Sequence, residues 1–168
     1  MGDILFTSTL DLSYRAALER LFFFNANQMA VSDSILSAID RYGAPRVAEI
    51  HGRLWVTLDS GVEAQSLFVL EQVGATPELA GAVVYTRDGD ALIVLFVAVR
   101  EDYSARGDKA HRMLFFRIMD EVRKVASRVK GIVSITLFLR ELAPTRVSVR
   151  ALQRMVESQL LPPRSHPG

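Results

Sequence analysis

Hydrophobic residues recur at helical spacing in two segments near the start of the chain. The first segment follows a short extended run at residues 4–10 and begins beside Asp11 and Ser13, either of which can cap a helix. The second begins near Ser32 and ends where Gly43 is soon followed by a proline, a combination typical of a helix C-terminus. The inward positions of these helices are Tyr14, Ala17, Leu18, Leu21 and Phe22, then Ile35, Leu36 and Ile39. The pattern predicts one strand followed by two helices.

The period changes from helical to extended in the middle of the chain. Asp88-Gly89 lies between two apolar runs and predicts a hairpin, because both residues of such a turn must tolerate a positive φ. His51-Gly52 marks a second hairpin. Residues 91–99 are apolar at every position, so we expect this strand in the middle of a sheet that is covered on both faces. The predicted extended segments are residues 46–50, 53–58, 66–72, 79–87 and 90–99.

Helical spacing returns after a polar loop. Apolar residues between Met113 and Val129 predict a helix of about 20 residues that packs on the sheet, and Gly131 ends it. A strand at residues 132–139 and a last helix capped by Ser148 follow. A helix between two apolar strands implies a right-handed crossover with parallel pairing. We therefore predict an α/β (α+β) fold with a mixed, mostly antiparallel sheet and helices on both faces.

The size and composition of the chain favour a single domain at residues 1–160, followed by a Pro-rich tail at residues 161–168. The absence of cysteine excludes disulfides and thiolate metal sites, and the three histidines lack metal-ligand spacing, so no metal is expected. The longest apolar run has nine residues, against about 20 for a membrane-spanning helix. With no signal-peptide pattern at the start, we expect a cytoplasmic protein without a membrane partner.

Charge is divided unevenly along the chain. Residues 1–99 hold 6 basic and 12 acidic residues, a net charge of −6, whereas residues 100–168 hold 14 basic and 7 acidic residues, a net charge of +7. This asymmetry indicates either an anionic ligand or partner near the C-terminal half, or a solvated arginine-rich helix face.

Candidate chemistry is concentrated in the loop at residues 100–110, REDYSARGDKA, between the most apolar strand and the longest predicted helix. A helix N-terminus after a buried strand offers unpaired amides and a positive dipole end to a phosphate group. Arg106, Lys109 and Arg112 add positive charge, and Gly107 permits close approach of the backbone. The alternative is that Gly107 serves only the backbone angles of the turn.

The element order and this loop resemble the GNAT superfamily of acyl-CoA N-acyltransferases. The resemblance covers residues 79–139: an apolar strand end, a short acidic turn, Tyr103, and a basic loop that opens the central helix. It implies that the strand end pairs with the pantetheine arm and that the loop amides hold the pyrophosphate of acetyl-CoA or another acyl-CoA. The implied cofactor-binding residues are Val97, Ala98 and Val99 on the strand, and Ser104, Ala105, Arg106, Gly107, Asp108, Lys109 and Ala110 in the loop.

The resemblance implies acyl transfer to an unknown small-molecule or peptide amine, but it identifies no catalytic residue. Many members of the superfamily carry a tyrosine on the last helix, whereas this chain has none beyond Tyr103. Glu49 and Glu71, on strands near the central one, are the candidates for a general base. The alternative is a catalytically inactive GNAT-like protein with a binding or regulatory role.

Two further partners are considered. Ten basic residues on the two C-terminal helices, Arg117 and Arg123 among them, suggest a nucleic-acid surface, although no recognition motif accompanies them and Phe115 and Phe116 fall in or beside the core stripe. The run at residues 22–24 consists of three phenylalanines that cannot all face one core. Together with the 49% apolar content, this run predicts a homo-oligomer.

Overall fold

A computed structural model of the chain describes residues 2–23, 32–138 and 145–160. The described residues form four α-helices and nine strands. The helices are α1 (Arg15–Phe23), α2 (Ser32–Tyr42), α3 (Leu114–Arg128) and α4 (Val149–Leu160). The strands are β1 (Ile4–Thr7), β2 (Leu10–Asp11), β3 (Pro45–Ile50), β4 (Arg53–Leu58), β5 (Gln65–Val73), β6 (Thr76–Asp88), β7 (Ala91–Val99), β8 (Ser134–Leu137) and β9 (Thr145–Ser148).

The main sheet has six strands in the order β1-β5-β6-β7-β8-β9. Every neighbouring pair is antiparallel except β7 and β8, which run parallel from Ala91 opposite Ser134 to Val94 opposite Leu137. Helix α3 forms the crossover between these two strands. The predicted mixed, mostly antiparallel α+β fold with its parallel crossover is therefore confirmed.

The β6–β7 hairpin turns at Asp88 and Gly89, as predicted. Gly89 adopts a φ of +59°, a backbone conformation that glycine reaches without steric cost. From Ala91 to Phe96 every residue of β7 is buried, which confirms a central strand covered on both faces. β3 and β4 form the second predicted hairpin, where His51 also has a positive φ of 51°.

Two hydrophobic cores lie on opposite faces of the main sheet. One is closed by α1, α2 and a separate three-stranded sheet, β2-β4-β3, and includes the fully buried Leu18 and Leu54. The other is closed by α3 and α4 and includes the fully buried Ile118 and Met119. Helices therefore cover both faces, as predicted. Within the described ranges, no helix is long and apolar enough to cross a membrane.

Several predicted boundaries were wrong. The extended run at residues 4–10 is divided, because β1 pairs with β5 whereas Leu10 joins the separate sheet through β4. Helix α3 has 15 residues and starts at Leu114, since Met113 adopts a left-handed conformation with a φ of 53°. Leu36 was predicted to face inward but is 59% exposed. Strand β9 was not predicted. Phe24, Leu139 and the tail at residues 161–168 lie outside the described residues.

Candidate functional site

The loop after β7 forms two single turns of 3₁₀ helix before α3 begins. The first turn is Glu101–Tyr103 and the second is Ala110–Arg112, and the left-handed Met113 separates the second turn from α3. The sequence led us to expect that the loop would open the central helix directly. That expectation was wrong, because residues 104–109 precede the second 3₁₀ turn and Ala110 begins it. The first turn of α3 follows only after Met113.

Four of the seven loop amides that the resemblance assigned to a pyrophosphate are bonded within the loop. The amide of Ser104 donates to Glu101 at 3.1 Å, that of Gly107 to Ser104 at 2.9 Å, and that of Lys109 to Asp102 at 2.8 Å. The amide of Ala110 donates to the carbonyl of Gly107 at 3.1 Å. These four amides are therefore occupied by the fold of the loop itself.

The three remaining loop amides make no hydrogen bond in the part of the chain that the structure describes. They belong to Ala105, Arg106 and Asp108, and all three residues are exposed. On the strand, Ala98 is buried opposite Ala82, and Val97 and Val99 pack against the core on the α3 side. The fold therefore brings the predicted cofactor residues together only where they are neighbours in the sequence.

Gly107 is required by a close approach of the loop to its own backbone. A Cβ atom at this position would overlap the carbonyl oxygen of Asp102 and would come within 2.6 Å of the carbonyl oxygen of Glu101. The approach allows the neighbouring amide of Lys109 to reach Asp102. Gly107 therefore serves a close approach of the loop to its own backbone. It is not among the glycines with a positive φ, so the alternative that it serves only the backbone angles of the turn is not supported.

Glu71 lies at the centre of a cluster of basic side chains that converge on the same loop. Its side chain is 2% exposed, and its carboxylate accepts hydrogen bonds from three cations. Lys109 Nζ donates to Oε2 at 2.7 Å, Arg100 Nη2 donates to Oε2 at 2.9 Å, and Arg112 Nη1 donates to Oε1 at 2.7 Å. We refer to this group as the Glu71 cluster; its members are Glu71, Arg100, Asp102, Tyr103, Lys109 and Arg112.

Sheet pairing explains how the Glu71 cluster forms. Glu71 is near the end of β5, and Arg100 directly follows β7, with β6 between the two strands. The loop then brings Lys109 and Arg112 back over this end of the sheet. Arg100 also binds Asp102 through two hydrogen bonds of 2.8 Å, a bidentate geometry that fixes the guanidinium. It reaches Glu78 at 3.2 Å.

Tyr103 and the first residues of the chain complete the Glu71 cluster. Tyr103 is buried, and the charged groups of Arg100, Lys109 and Arg112 lie 5.2–5.8 Å from the centre of its ring. Arg112 donates to the Tyr103 hydroxyl at 3.1 Å and to the carbonyl of Gly2 at 2.6 Å. The cluster therefore joins the N-terminal segment, β5, the end of β7 and the 3₁₀ turn that precedes α3.

The cluster keeps its carboxylates charged. Burial alone would raise the pKa of Glu71, but hydrogen bonds from Lys109, Tyr103 and Arg100 together hold it below its ordinary value. The bidentate contact with Arg100 likewise lowers the pKa of Asp102. Burial and the hydrogen bond to Glu71 raise the pKa of Tyr103 to about 12. Near neutral pH, Glu71 and Asp102 are anionic and the Tyr103 hydroxyl is neutral.

Neither candidate for the general base has the surroundings that this role needs. Glu71 is buried, ionised and saturated with hydrogen bonds, so it has no accessible lone pair and no pKa near neutrality for accepting a proton. Glu49 is exposed on β3 in the separate sheet, where its nearest charged partner is Arg15 at 3.9 Å. Catalytic residues therefore remain unassigned.

Acidification should destabilise the fold through the Glu71 cluster. Folding lowers the pKa of Glu71 and Asp102 below their ordinary values of 4.5 and 3.8, so their contribution is fully present above those values. The contribution is lost as the pH falls through the lowered folded-state values, because the unfolded chain binds protons first. Urea unfolding measured between pH 7 and pH 3 should show this decline, and Glu71→Gln should flatten it. Parallel curves for the two proteins would contradict the assignment.

The basic residues that suggested a nucleic-acid surface are partly neutralised. On α3, Arg123 binds Asp120 at 3.0 Å and Lys124 binds Glu121 at 2.8 Å, while Lys109 and Arg112 belong to the Glu71 cluster. Phe115 packs against the α3-side core and meets Phe116 edge to face. Among the described residues, no group of three or more His, Asp or Glu side chains is placed to hold a metal ion.

Comparisons with known proteins find no match to this chain among protein-family models, curated proteins or solved structures. The GNAT resemblance therefore rests on the loop residues and on the element order. It remains a prediction.

Proposed function

We propose that this chain is a GNAT-like binding or regulatory protein that does not catalyse acyl transfer. The observation that carries the proposal is the placement of Lys109, a loop residue that the resemblance assigns to the cofactor, and of Arg112, the next basic residue along the chain. Both donate to Glu71 at 2.7 Å. The Glu71 carboxylate therefore neutralises positive charge that a pyrophosphate would need.

A pyrophosphate would have to compete with these contacts. Drawing Lys109 or Arg112 toward a phosphate would leave Glu71 a buried carboxylate with fewer partners, and an uncompensated buried charge is strongly destabilising. Four of the loop amides are also committed to loop carbonyls. Binding of a coenzyme A pyrophosphate in the manner that the resemblance implies would require the loop to refold.

Among the described residues, Glu71 and Tyr103 are also poorly suited to act as the general base and the general acid of acyl transfer. Glu71 cannot accept a proton from an amine while it holds three cations. Tyr103, the last tyrosine in the sequence, is buried, its pKa is raised to about 12, and its hydroxyl accepts a hydrogen bond from Arg112 at 3.1 Å. These observations favour binding without turnover.

An acyl-CoA-dependent N-acyltransferase is the second candidate. It is favoured by the crossover from β7 through α3 to the parallel β8, and by the unbonded amides of Ala105, Arg106 and Asp108 next to the exposed Arg106 side chain. These amides could hold one phosphate group without disturbing the Glu71 cluster.

Thiol release separates the two candidates. Purified protein incubated with acetyl-CoA and a broad panel of amines should release no thiol above the background of buffer alone. Turnover that scales with enzyme concentration and is lost in Arg106→Glu would establish the transferase and refute the proposal. Arg150→Glu, an exposed arginine on α4, is the matched control for the charge reversal. Thermal shift with acetyl-CoA, measured on the same three proteins, would show whether the loop binds the nucleotide at all.

A further inference from the structure

A cleft opens between the main sheet and the last turn of α3, at the opposite end of β7 from the loop. Its volume is about 410 Å³, which lies within the usual range of small-molecule sites. Leu92, Val125 and Val129 form an apolar wall, and Glu63, Tyr85 and Arg87 add polar groups. Leu92 and Val99 are seven residues apart on β7, so about 23 Å separates the cleft from the loop at the usual rise of a strand.

Regular secondary structure builds most of this cleft. Tyr85 and Arg87 are alternate residues of β6, so their side chains point to the same face of the sheet. In the ladders, Gln65 lies opposite Tyr85 and Leu92 lies opposite Arg87, which places all four on that face. Strands and a helix hold side chains more precisely than loops do, so the cleft is suited to a defined ligand.

Tyr85 supplies a hydroxyl group without a partner. The residue as a whole is only 5% exposed, but its hydroxyl is not among the buried polar atoms that lack a partner, so the oxygen reaches the open space of the cleft and makes no hydrogen bond within the described residues. An apolar ring that is buried with its hydroxyl at the surface of a cleft can offer that hydroxyl to a ligand. Burial raises the pKa of Tyr85, so the hydroxyl stays neutral and can donate a hydrogen bond at physiological pH.

Two opposite charges line the same cleft without pairing. Neither Glu63 nor Arg87 makes an ion pair with any residue that the structure describes. Arg87 Nε and Nη2 donate to the carbonyls of Gly89 at 3.1 Å and Lys130 at 3.4 Å. These bonds hold the guanidinium beside the cleft and leave Nη1 for another acceptor. The backbone at Glu63 is fixed because its carbonyl accepts the Thr86 hydroxyl at 2.6 Å.

We propose that this cleft binds a free α-amino acid with an apolar side chain. The ammonium group pairs with Glu63, the carboxylate accepts hydrogen bonds from Arg87 and Tyr85, and the side chain packs on the wall formed by Leu92, Val125 and Val129. Glu63 and Arg87 are both exposed at the mouth of the cleft, so a simple carboxylic acid would use only Arg87 and a simple amine would use only Glu63. A zwitterion with an apolar side chain satisfies both charges and the apolar wall.

Calorimetric titration with L-phenylalanine and L-leucine tests the proposal. We expect binding of both amino acids, and binding of glycine weaker by about tenfold or more, because a buried hydrophobic side chain contributes more than one factor of ten in affinity. N-acetyl-phenylalanine and phenylalanine amide each lack one charge, and each should also bind at least about tenfold more weakly than phenylalanine. Absence of phenylalanine and leucine binding at millimolar concentration would overturn the proposal.

Substitutions assign each charge to its residue. Glu63→Gln should weaken the binding of phenylalanine but leave the affinity for N-acetyl-phenylalanine unchanged. Arg87→Gln should weaken the binding of phenylalanine but leave the affinity for phenylalanine amide unchanged. Tyr85→Phe should weaken all carboxylate ligands. Glu49→Gln and Arg150→Gln, exposed residues outside the cleft, are the matched controls, and circular dichroism with urea unfolding checks that each variant folds. Binding that is insensitive to these three substitutions would place the ligand elsewhere and refute the site. The outcome does not depend on acyl transfer, because none of these residues belongs to the loop.

Discussion

Glu71→Gln should lower the free energy of unfolding by about 3–5 kcal/mol, the usual cost of removing one partner from a buried ion pair. Glutamine keeps the shape of the side chain but leaves Arg100, Lys109 and Arg112 close together without the anion that joins them. Its amide would also direct hydrogens at groups that can only donate. Urea unfolding at pH 7, monitored by circular dichroism, measures the difference.

Glu78→Gln is the matched control for this prediction. Glu78 also binds Arg100, at 3.2 Å, but its side chain is 59% exposed, and exposed ion pairs contribute about 0–1 kcal/mol. We therefore expect a small change for the control and a large one for Glu71→Gln. Similar small losses for both would show that the cluster contributes little to stability.

Gly107→Ala should destabilise the fold by about 1–3 kcal/mol or more, the range for a group inserted where no space exists. The added Cβ would overlap the carbonyl oxygen of Asp102. Backbone atoms cannot rotate away as a flexible side chain can, so the turn would have to open. Because the Lys109 amide donates to that same carbonyl, the change should also weaken the contact between Lys109 and Glu71.

Thermal unfolding of Gly107→Ala and Ser104→Ala compares this clash with a mild change in the same loop. Ser104 is half-buried, and its backbone carbonyl, which accepts the Gly107 amide, is unchanged by the substitution. We expect a clear drop in melting temperature for Gly107→Ala and almost none for Ser104→Ala. Equal melting temperatures for Gly107→Ala and the unmodified protein would contradict the close packing of the turn.

Local patterns were sufficient to predict the fold class, the β6–β7 hairpin and the parallel crossover of the main sheet. Asp88-Gly89 has few alternatives to a tight hairpin, and a strand that is apolar at all nine positions of β7 requires cover on both faces. The crossover through α3 then followed from the handedness of such connections. Each inference used residues that are close together in the sequence.

The predictions that depended on distant pairing were less successful. Leu10 lies three residues beyond the end of β1 in the sequence but belongs to a different sheet, because its partner Leu54 is 44 positions away. Leu36 directly follows Ile35 in the sequence and yet faces outward, whereas Ile35, Ala38 and Ile39 meet the core. Nothing within a short window of residues distinguishes these outcomes.

The Glu71 cluster could not be predicted from the sequence for the same reason. Lys109 and Arg112 were recognised as basic residues near a helix start, but their partner is about 40 residues earlier, on β5, which β6 and β7 separate from the loop in the sequence. Glu71 was noticed only as one carboxylate on a neighbouring strand. The available signal was an acidic residue in an otherwise apolar run, which requires a buried partner.

The Glu71 cluster gives the uneven charge of the chain a structural meaning. Glu71 and Glu78 come from the acidic segment before residue 100, and Arg100, Lys109 and Arg112 come from the basic segment after it. Asp90 and Arg146 repeat the arrangement at 2.8 Å across β7 to β9. Each segment thus carries counterions for the other. If the chain is divided near residue 100, each fragment loses its electrostatic complement, and we expect it to regain order only when the other fragment is added back.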